Sequence, residues 1–116
     1  MIATQSTVAT EVDESTVLLE ALEKLRQIMI ADYNKNKYIS VYDIVFEFGS
    51  KYIKMVHIGS GSQRSVCGFV VLTKNHKKFA YGDLLKQAGW AGPATNFARG
   101  NVFNLDGKKI AWTGIQ

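Results

Sequence analysis

The chain has 116 residues, of which 47% are apolar and 21% charged, so we expect one packed domain over 1–116 and exclude wholesale disorder. No apolar run approaches the roughly 18 residues of a membrane span. Residues 1–14 also lack the basic start and apolar middle of a signal peptide, which predicts a cytoplasmic protein.

Charge is distributed unevenly along the chain. Residues 1–48 carry four Lys/Arg and eight Asp/Glu, whereas residues 49–116 carry ten Lys/Arg and two Asp/Glu. Two explanations are open: the basic part binds an anionic partner, or the acidic N-terminal part packs against a basic body.

The first element predicted is a long helix, preceded by a flexible N-terminal arm at residues 1–12. The helix spans 13–31, because apolar residues recur at steps of three and four. This stripe consists of Leu18, Leu22, Leu25 and Met29. The helix could cover the sheet of its own chain or reach the sheet of a partner. Because the stripe offers more apolar surface than a small sheet obviously needs, we expect the helix to contribute to a homo-oligomer.

Three strands follow the helix. Alternating aromatic and polar residues predict a strand at 38–48, and Gly49-Ser50 predicts a tight turn into a return strand at 51–58. A loop at 59–64 leads to a continuous apolar strand at 65–73, which we expect at the centre of the sheet.

The rest of the chain predicts shorter elements: a short strand at 79–81, then a helix at 84–88 capped by Asp83. Pro93 predicts a helical turn over 93–98, and Asp106-Gly107 predicts a hairpin between strands at 101–105 and 108–113. The resulting fold class is α+β, with an antiparallel sheet of five or six strands that is either open or curled into a barrel.

Catalytic and metal-binding patterns are weak. Cys67 is the single cysteine and lies in an apolar strand, and His57 and His76 have no partners at metal-ligand spacing. The sequence therefore predicts a protein without catalytic residues, metal or cofactor. "GSGSQRS" lacks the ending of a phosphate-binding P-loop, although Arg64 at its end is a candidate phosphate contact.

The segment "AGWAGPATNFARGN" at 88–101 is the main candidate site. The first amides of the predicted helical turn would face an anion, Thr95 and Asn96 add donors, and Arg99 offers a planar fork. Small residues beside the arginine, Ala98 and Gly100, would allow a close approach of ligand to backbone. Aromatic residues of this region offer a stacking surface for a base: Phe79, Tyr81, Trp90 and Phe97. The alternative is a compact connector, with Trp90 and Phe97 in the core.

A family resemblance rests on "RSVCGFV" (64–70) and "KKFAYGDLLKQAGWAGPATNFARGNVF" (77–103). With the long helix, residues 15–104 resemble the anti-Thoeris sponge proteins of phages. Those proteins sequester a cyclic ADP-ribose signal of a bacterial defence system, and members also hold cyclic oligonucleotides, as in CBASS defence, at a second kind of site within higher oligomers.

The resemblance implies helix-plus-β-barrel protomers, a dimer or a hexamer, and binding without catalysis in the cytoplasm of an infected host. It implies ligand contacts from Arg26, Phe79 and the turn Arg99, Gly100 and Asn101. The full set of predicted ligand-binding residues is Arg26, Arg64, Phe79, Tyr81, Thr95, Asn96, Ala98, Arg99, Gly100 and Asn101. The alternative function is a small phage factor that binds single-stranded nucleic acid or a host protein.

Overall fold

The computed structural model describes residues 14–35, 42–59, 64–105, 110–111 and 113–115. One helix, α1 (Glu14–Lys35), is followed by six strands. The strands are β1 (Asp43–Phe48), β2 (Tyr52–Ile58), β3 (Arg64–Val71), β4 (Leu84–Leu85), β5 (Ile110–Ala111) and β6 (Gly114–Ile115). The predicted α+β class is confirmed.

The strands form two antiparallel sheets. Strands β1 to β4 are ordered β1-β2-β3-β4, and β5 pairs with β6 in a separate hairpin. The register aligns Phe48 with Ile53, and the Gly49 amide donates to the Tyr52 carbonyl at 2.9 Å, which closes the predicted β1–β2 hairpin. Strand β3 is central, as its apolar run predicts. Within the described residues the sheet is open, and no barrel closes.

Helix α1 covers one face of the sheet, which we call the first face. Its apolar stripe is buried against residues of β1, β2 and β3, and these helix positions are all at most 4% exposed: Leu18, Leu22, Leu25 and Met29. The helix continues to Lys35, four residues beyond the predicted end, because Tyr33 is also buried and stacks on Tyr42 with ring centroids 4.5 Å apart. Tertiary packing thus overrides the turn-forming asparagine at position 34.

The burial of the stripe changes the argument for an oligomer. A single chain buries the four helix residues against its own sheet, so the expectation of surplus apolar surface at these positions is wrong. The homo-oligomer itself stays a prediction.

The hairpin β5–β6 also packs on the first face, where it approaches β3 very closely. A Cβ added to Gly68 would lie 2.5 Å from Cγ1 of Ile115, and one added to Gly114 would collide with the Cys67 carbonyl. Gly114 has a φ of 132°, a conformation that favours glycine. The two glycines therefore allow the hairpin to lie directly against the central strand.

The opposite side of the sheet, the second face, carries a smaller apolar cluster of Phe69, Val71, Phe79 and Leu85. The two clusters lie on opposite faces because Val70 belongs to the first and its neighbours Phe69 and Val71 to the second. Strand β3 is therefore buried on both sides, in agreement with its continuous apolar sequence.

The predicted helix at 84–88 is wrong. Leu84 and Leu85 form β4 and pair with Val70 and Phe69. Leu84 faces the first cluster and Leu85 the second, and successive side chains on opposite faces require a strand. Asp83 is not a helix cap, because its carboxylate accepts hydrogen bonds from the Ala80 amide and from Nδ2 of Asn101.

Three other predictions are wrong. Residues 79–81 form no strand, and residues 93–98 form no helical turn. The predicted strand at 101–105 is a turn at 101–104, in which the Asn104 amide donates to the Asn101 carbonyl at 3.0 Å. Three predicted segments lie outside the described residues: the N-terminal arm at 1–12, the hairpin turn at 106–107 and most of the loop at 59–64. Strand β5 pairs instead with β6.

Candidate functional site

The second face is covered by an irregular segment rather than by a helix. Residues 86–94, which we call the arm, fold back on themselves: the Ala94 amide donates to the Lys86 carbonyl at 2.7 Å, and Gln87 pairs with Pro93. Proline is compatible with this edge position because it needs no amide partner. The amides of Ala88 and Gly89 both donate to the Gly92 carbonyl, which closes the tip of the arm.

Trp90 lies at the tip of the arm and is 49% exposed. The ammonium of Lys54 lies 4.2 Å from the centre of its ring. Lys54 is on β2, where it is aligned with Glu47 on β1 and Phe69 on β3. The arm therefore crosses the second face and presents an aromatic ring with a cation held against it.

The arginine of the candidate segment forms a second pair of this kind. The Arg99 guanidinium carbon lies 3.9 Å from the ring centre of Phe97, which is 51% exposed. Nε of Arg99 donates to the Phe97 carbonyl at 3.4 Å, and Nη2 donates to Oδ1 of Asn96 at 3.3 Å. Arg99 is thus held by its own turn.

The neighbours of Arg99 have a structural explanation. The Arg99 amide donates to the Leu84 carbonyl and the Leu84 amide donates to the Gly100 carbonyl, both at 2.8 Å, so this stretch runs beside β4. Ala98 packs against the second-face cluster. Gly100 has a φ of 147°, which other residues rarely adopt. Because residues 93–98 are not helical, the predicted anion site on helical amides is absent.

Other residues predicted to bind ligand instead pack or form hydrogen bonds within the fold around this segment. Phe79 is 7% exposed and belongs to the second-face cluster, so its ring is part of the core. Asn101 donates through Nδ2 to the Tyr81 carbonyl at 3.1 Å and accepts the Phe103 amide at Oδ1. The Thr95 carbonyl accepts a hydrogen bond from Nζ of Lys78 at 2.6 Å. Tyr81 packs on Phe103 with ring centroids 5.4 Å apart, and burial raises its pKa.

The remaining two predicted arginines are ion-paired. Nε of Arg26 donates to Oδ1 of Asp43 at 2.9 Å, and this hydrogen bond raises the pKa of Arg26. Arg64 pairs with Glu47, which leaves the aligned Lys54 to contact Trp90. Asp43 is on β1 and Arg99 runs beside β4, so about 15–20 Å of sheet separates Arg26 from Arg99 at about 4.8 Å per strand. Within one chain, the structure does not bring these two arginines into one small pocket.

A groove of about 330 Å³ lies between the arm and the β1–β2 hairpin. Its described lining consists of Glu47, Phe48, Gly49, Ser50, Lys51, Tyr52, Lys54, Phe69 and Ala91. The volume falls at the lower end of the range for small-molecule sites. Sequence reasoning missed Lys54 and Tyr52. The two residues lie two positions apart and therefore on the same side of β2, and Phe69 lies opposite Lys54 on β3. This spacing is the signal that would have found them, once the register was known.

The groups available for acid–base chemistry are restricted. Cys67 is buried, and burial raises the pKa of its thiol to about 12, which disfavours the thiolate. Burial lowers the pKa of His57, whose ring lies 4.7 Å from that of Tyr42.

Among the described residues, no cluster of three or more His, Cys, Asp or Glu is placed to hold a metal ion. In the same residues, no helix has the length and apolar character of a membrane span.

Comparison with known proteins gives a family but no function. A family model described as a family of unknown function, DUF7717, matches residues 2–115. The chain belongs to this family. No curated protein and no solved structure matches the chain.

In this DUF7717 chain the second face combines three features: exposed aromatic rings, cations over those rings, and a groove beside them. Among the described residues, four cations contact side chains of this face or of the segment that follows the arm, namely Lys54 over Trp90, Arg64 with Glu47, Lys78 over Phe79 and Arg99 over Phe97. Such a surface suits a ligand that has both flat rings and negative charge.

Proposed function

We propose that this DUF7717 protein binds, without chemical conversion, an anionic ligand that carries an aromatic base. The observation that supports this proposal is the pair of exposed rings, Trp90 and Phe97, each with a cation within 4.2 Å of its centre. A base stacked on such a ring contributes about 1–3 kcal/mol, and the adjacent cation attracts the phosphate of the same ligand.

The specific ligand that we propose is a cyclic nucleotide signal of a bacterial defence system, of the cyclic ADP-ribose or cyclic oligonucleotide type. The protein would act as a phage counter-defence sponge by removing the signal from solution in the host cytoplasm. Support comes from the sequence resemblance at 15–104, from the basic second half of the chain, and from a groove of nucleotide scale on the second face. Binding that leaves the ligand intact is the essential feature of a sponge.

Recovery of intact ligand tests the proposal directly. The protein is incubated with isomers of cyclic ADP-ribose and with cyclic oligoadenylates, separated from free ligand, denatured, and analysed by chromatography. We expect the ligand to be released unchanged and in stoichiometric amount. A cleaved product would overturn the proposal, as would the absence of binding across the panel.

Arg99→Ala tests the role of the arginine. A hydrogen bond to a charged group contributes about 1.5–3 kcal/mol, so the substitution should weaken ligand binding by roughly 10- to 100-fold. Arg99→Lys should restore binding only in part, because lysine lacks the planar fork. If Arg99 serves only to hold its turn through Phe97 and Asn96, the melting temperature will fall and the affinity of the folded protein will not change.

The second candidate function is binding of single-stranded nucleic acid. It is favoured by the number of aromatic rings that are exposed on the described surface, namely Phe48, Trp90, Phe97 and Phe103. Salt dependence distinguishes the two functions, because polynucleotide affinity falls steeply with salt in proportion to the phosphates contacted, whereas a ligand with two or three phosphates gives a shallow slope. Tight, salt-sensitive binding of oligo-dT without cyclic nucleotide binding would establish the second function.

A homo-oligomer, as a dimer or a hexamer, completes the proposal, because two chains can place an Arg26 near an Arg99 that one chain keeps apart. Light scattering tests this, and a 12.9 kDa particle at micromolar concentration would refute it.

A further inference from the structure

A second pocket lies beside the groove and has a different character. It has a volume of about 370 Å³, and its described lining consists of Lys51, Asn75, His76 and Lys77. Lys51 also lines the groove, so the pocket and the groove adjoin at the tip of the β1–β2 hairpin. The described lining of the pocket contains no carboxylate.

The two lysines of this pocket, Lys51 in the β1–β2 turn and Lys77 in the loop between β3 and β4, differ from the other lysines of that loop. Lys74 pairs with Glu14, and Lys78 donates to the Thr95 carbonyl. By contrast, neither Lys51 nor Lys77 has an ion-pair or hydrogen-bond partner for its ammonium among the described residues. Two ammonium groups on one pocket favour an anion between them, since the described lining of this pocket has no carboxylate and Glu47 of the adjoining groove is paired with Arg64.

The orientation of His76 adds a further donor. Nδ1 of His76 accepts the amides of Lys78 at 3.0 Å and Phe79 at 3.3 Å, so the hydrogen of the ring is on Nε2. Nε2 lies 2.9 Å from the hydroxyl of Tyr52 and donates to its oxygen. The hydroxyl hydrogen of Tyr52 is then available to another acceptor, and Tyr52 lines the groove on the side of Lys51.

We propose that Lys51, Lys77, the side-chain amide of Asn75 and the Tyr52 hydroxyl form a phosphate-binding subsite. This inference rests on the proposed function, because it assigns one phosphate of the nucleotide ligand to the pocket and the aromatic base of the same ligand to the groove. The pocket is larger than one phosphate group requires, so the subsite accommodates a diphosphate or a phosphate with its sugar. A nucleoside without phosphate would leave the subsite empty and bind through the rings alone.

Inorganic pyrophosphate is the probe, because it has the charge of a diphosphate and no ring. Calorimetric titration at low salt compares the wild-type chain with Lys77→Gln, and with Lys35→Gln as a matched control in the last turn of α1. Loss of one charged hydrogen bond should weaken pyrophosphate binding by about tenfold or more in Lys77→Gln, and Lys35→Gln should bind as the wild type does. Lys51→Gln should repeat the effect of Lys77→Gln.

The titration also separates this subsite from the Arg99 turn. We expect Arg99→Ala to leave pyrophosphate binding unchanged, since Arg99 does not line the pocket. Equal affinities in the wild type, Lys77→Gln and Lys35→Gln would overturn the subsite, as would the absence of pyrophosphate binding at millimolar concentration. Recovery of intact cyclic nucleotide from the same wild-type protein would then still support the proposed function, so the two proposals fail separately.

Discussion

The two faces of the sheet are closed in different ways. The first face is sealed by α1 and the β5–β6 hairpin, and fully buried side chains such as Leu22, Leu25 and Met55 meet there. The second face is covered by the arm and the irregular stretch after it, in which Trp90 and Phe97 are about half exposed. One sheet therefore has a face typical of a stable core and a face that keeps rings and charges in contact with solvent.

This difference separates stability from binding within one small chain. Burial of apolar area on the first face stabilises the fold, in proportion to the area removed from water. Exposed rings with adjacent cations contribute little to folding, since interactions between solvent-exposed groups are weak. Substitutions on the first face should therefore change stability, and substitutions on the second face should change ligand affinity.

The largest expected effect is the loss of stability in Leu25→Ala. Leu25 is 0% exposed in the centre of the first-face cluster, and truncation of a buried leucine costs about 2–5 kcal/mol. Leu19→Ala is the matched control, because Leu19 is on the same helix and 55% exposed, and it should cost less than about 0.5 kcal/mol. Urea unfolding measures both, and equal costs would contradict the assignment of the buried stripe.

The next effect concerns the close contact of β6 with β3. In Gly114→Ala the new methyl group would meet the Cys67 carbonyl at a φ that alanine avoids, so we expect a loss of about 1–3 kcal/mol or more. Gly89→Ala is the control on the arm, where an added Cβ has no atom within 4 Å. Thermal unfolding compares the two, and a stability unchanged by Gly114→Ala would show that β6 does not lie directly on β3.

Trp90→Ala is the test on the second face. Removal of a stacking ring should lower cyclic nucleotide affinity by about 1–3 kcal/mol, and should change the free energy of unfolding by less than about 0.5 kcal/mol. Phe103→Ala is a matched control, because Phe103 is also exposed, at 41%, but packs on Tyr81, whereas Trp90 contacts Lys54 and is the neighbour of Ala91, and both of those residues line the groove. Titration calorimetry and thermal unfolding give both quantities, and an equal loss of affinity in the two variants would contradict a site at Trp90.

The smallest effect is a pH dependence of stability from His57. Burial lowers the pKa of His57 below its ordinary value of 6.5, so the unfolded chain takes up a proton at a higher pH than the folded chain. The contribution is present above about pH 6.5 and is lost as the pH falls below it. His57→Gln should flatten the decline in melting temperature between about pH 7 and pH 5. Parallel curves for the variant and the wild type would exclude this contribution.

Local sequence patterns were sufficient for the regular elements. The helix stripe, the β1–β2 hairpin and the central place of β3 were predicted correctly, because periodicity and turn residues act within a few positions of the chain. The candidate site was predicted less well. Sequence reasoning identified Arg99, which does not line the groove, and left Trp90 between a stacking role and the core. It missed Lys54, Tyr52 and Lys51, which line the groove from β2 and from the turn before it.

The sequence by itself determined which residues are apolar, where the helix and the three long strands lie, and that the second half of the chain is basic. Only the tertiary structure decided that Leu84-Leu85 is a strand, because each leucine is buried in a different cluster on opposite sides of the sheet. It also decided that the helix stripe is used within the chain and that Lys54 meets Trp90. Those contacts join residues distant in sequence, and no local pattern encodes the partner that a side chain meets across a sheet.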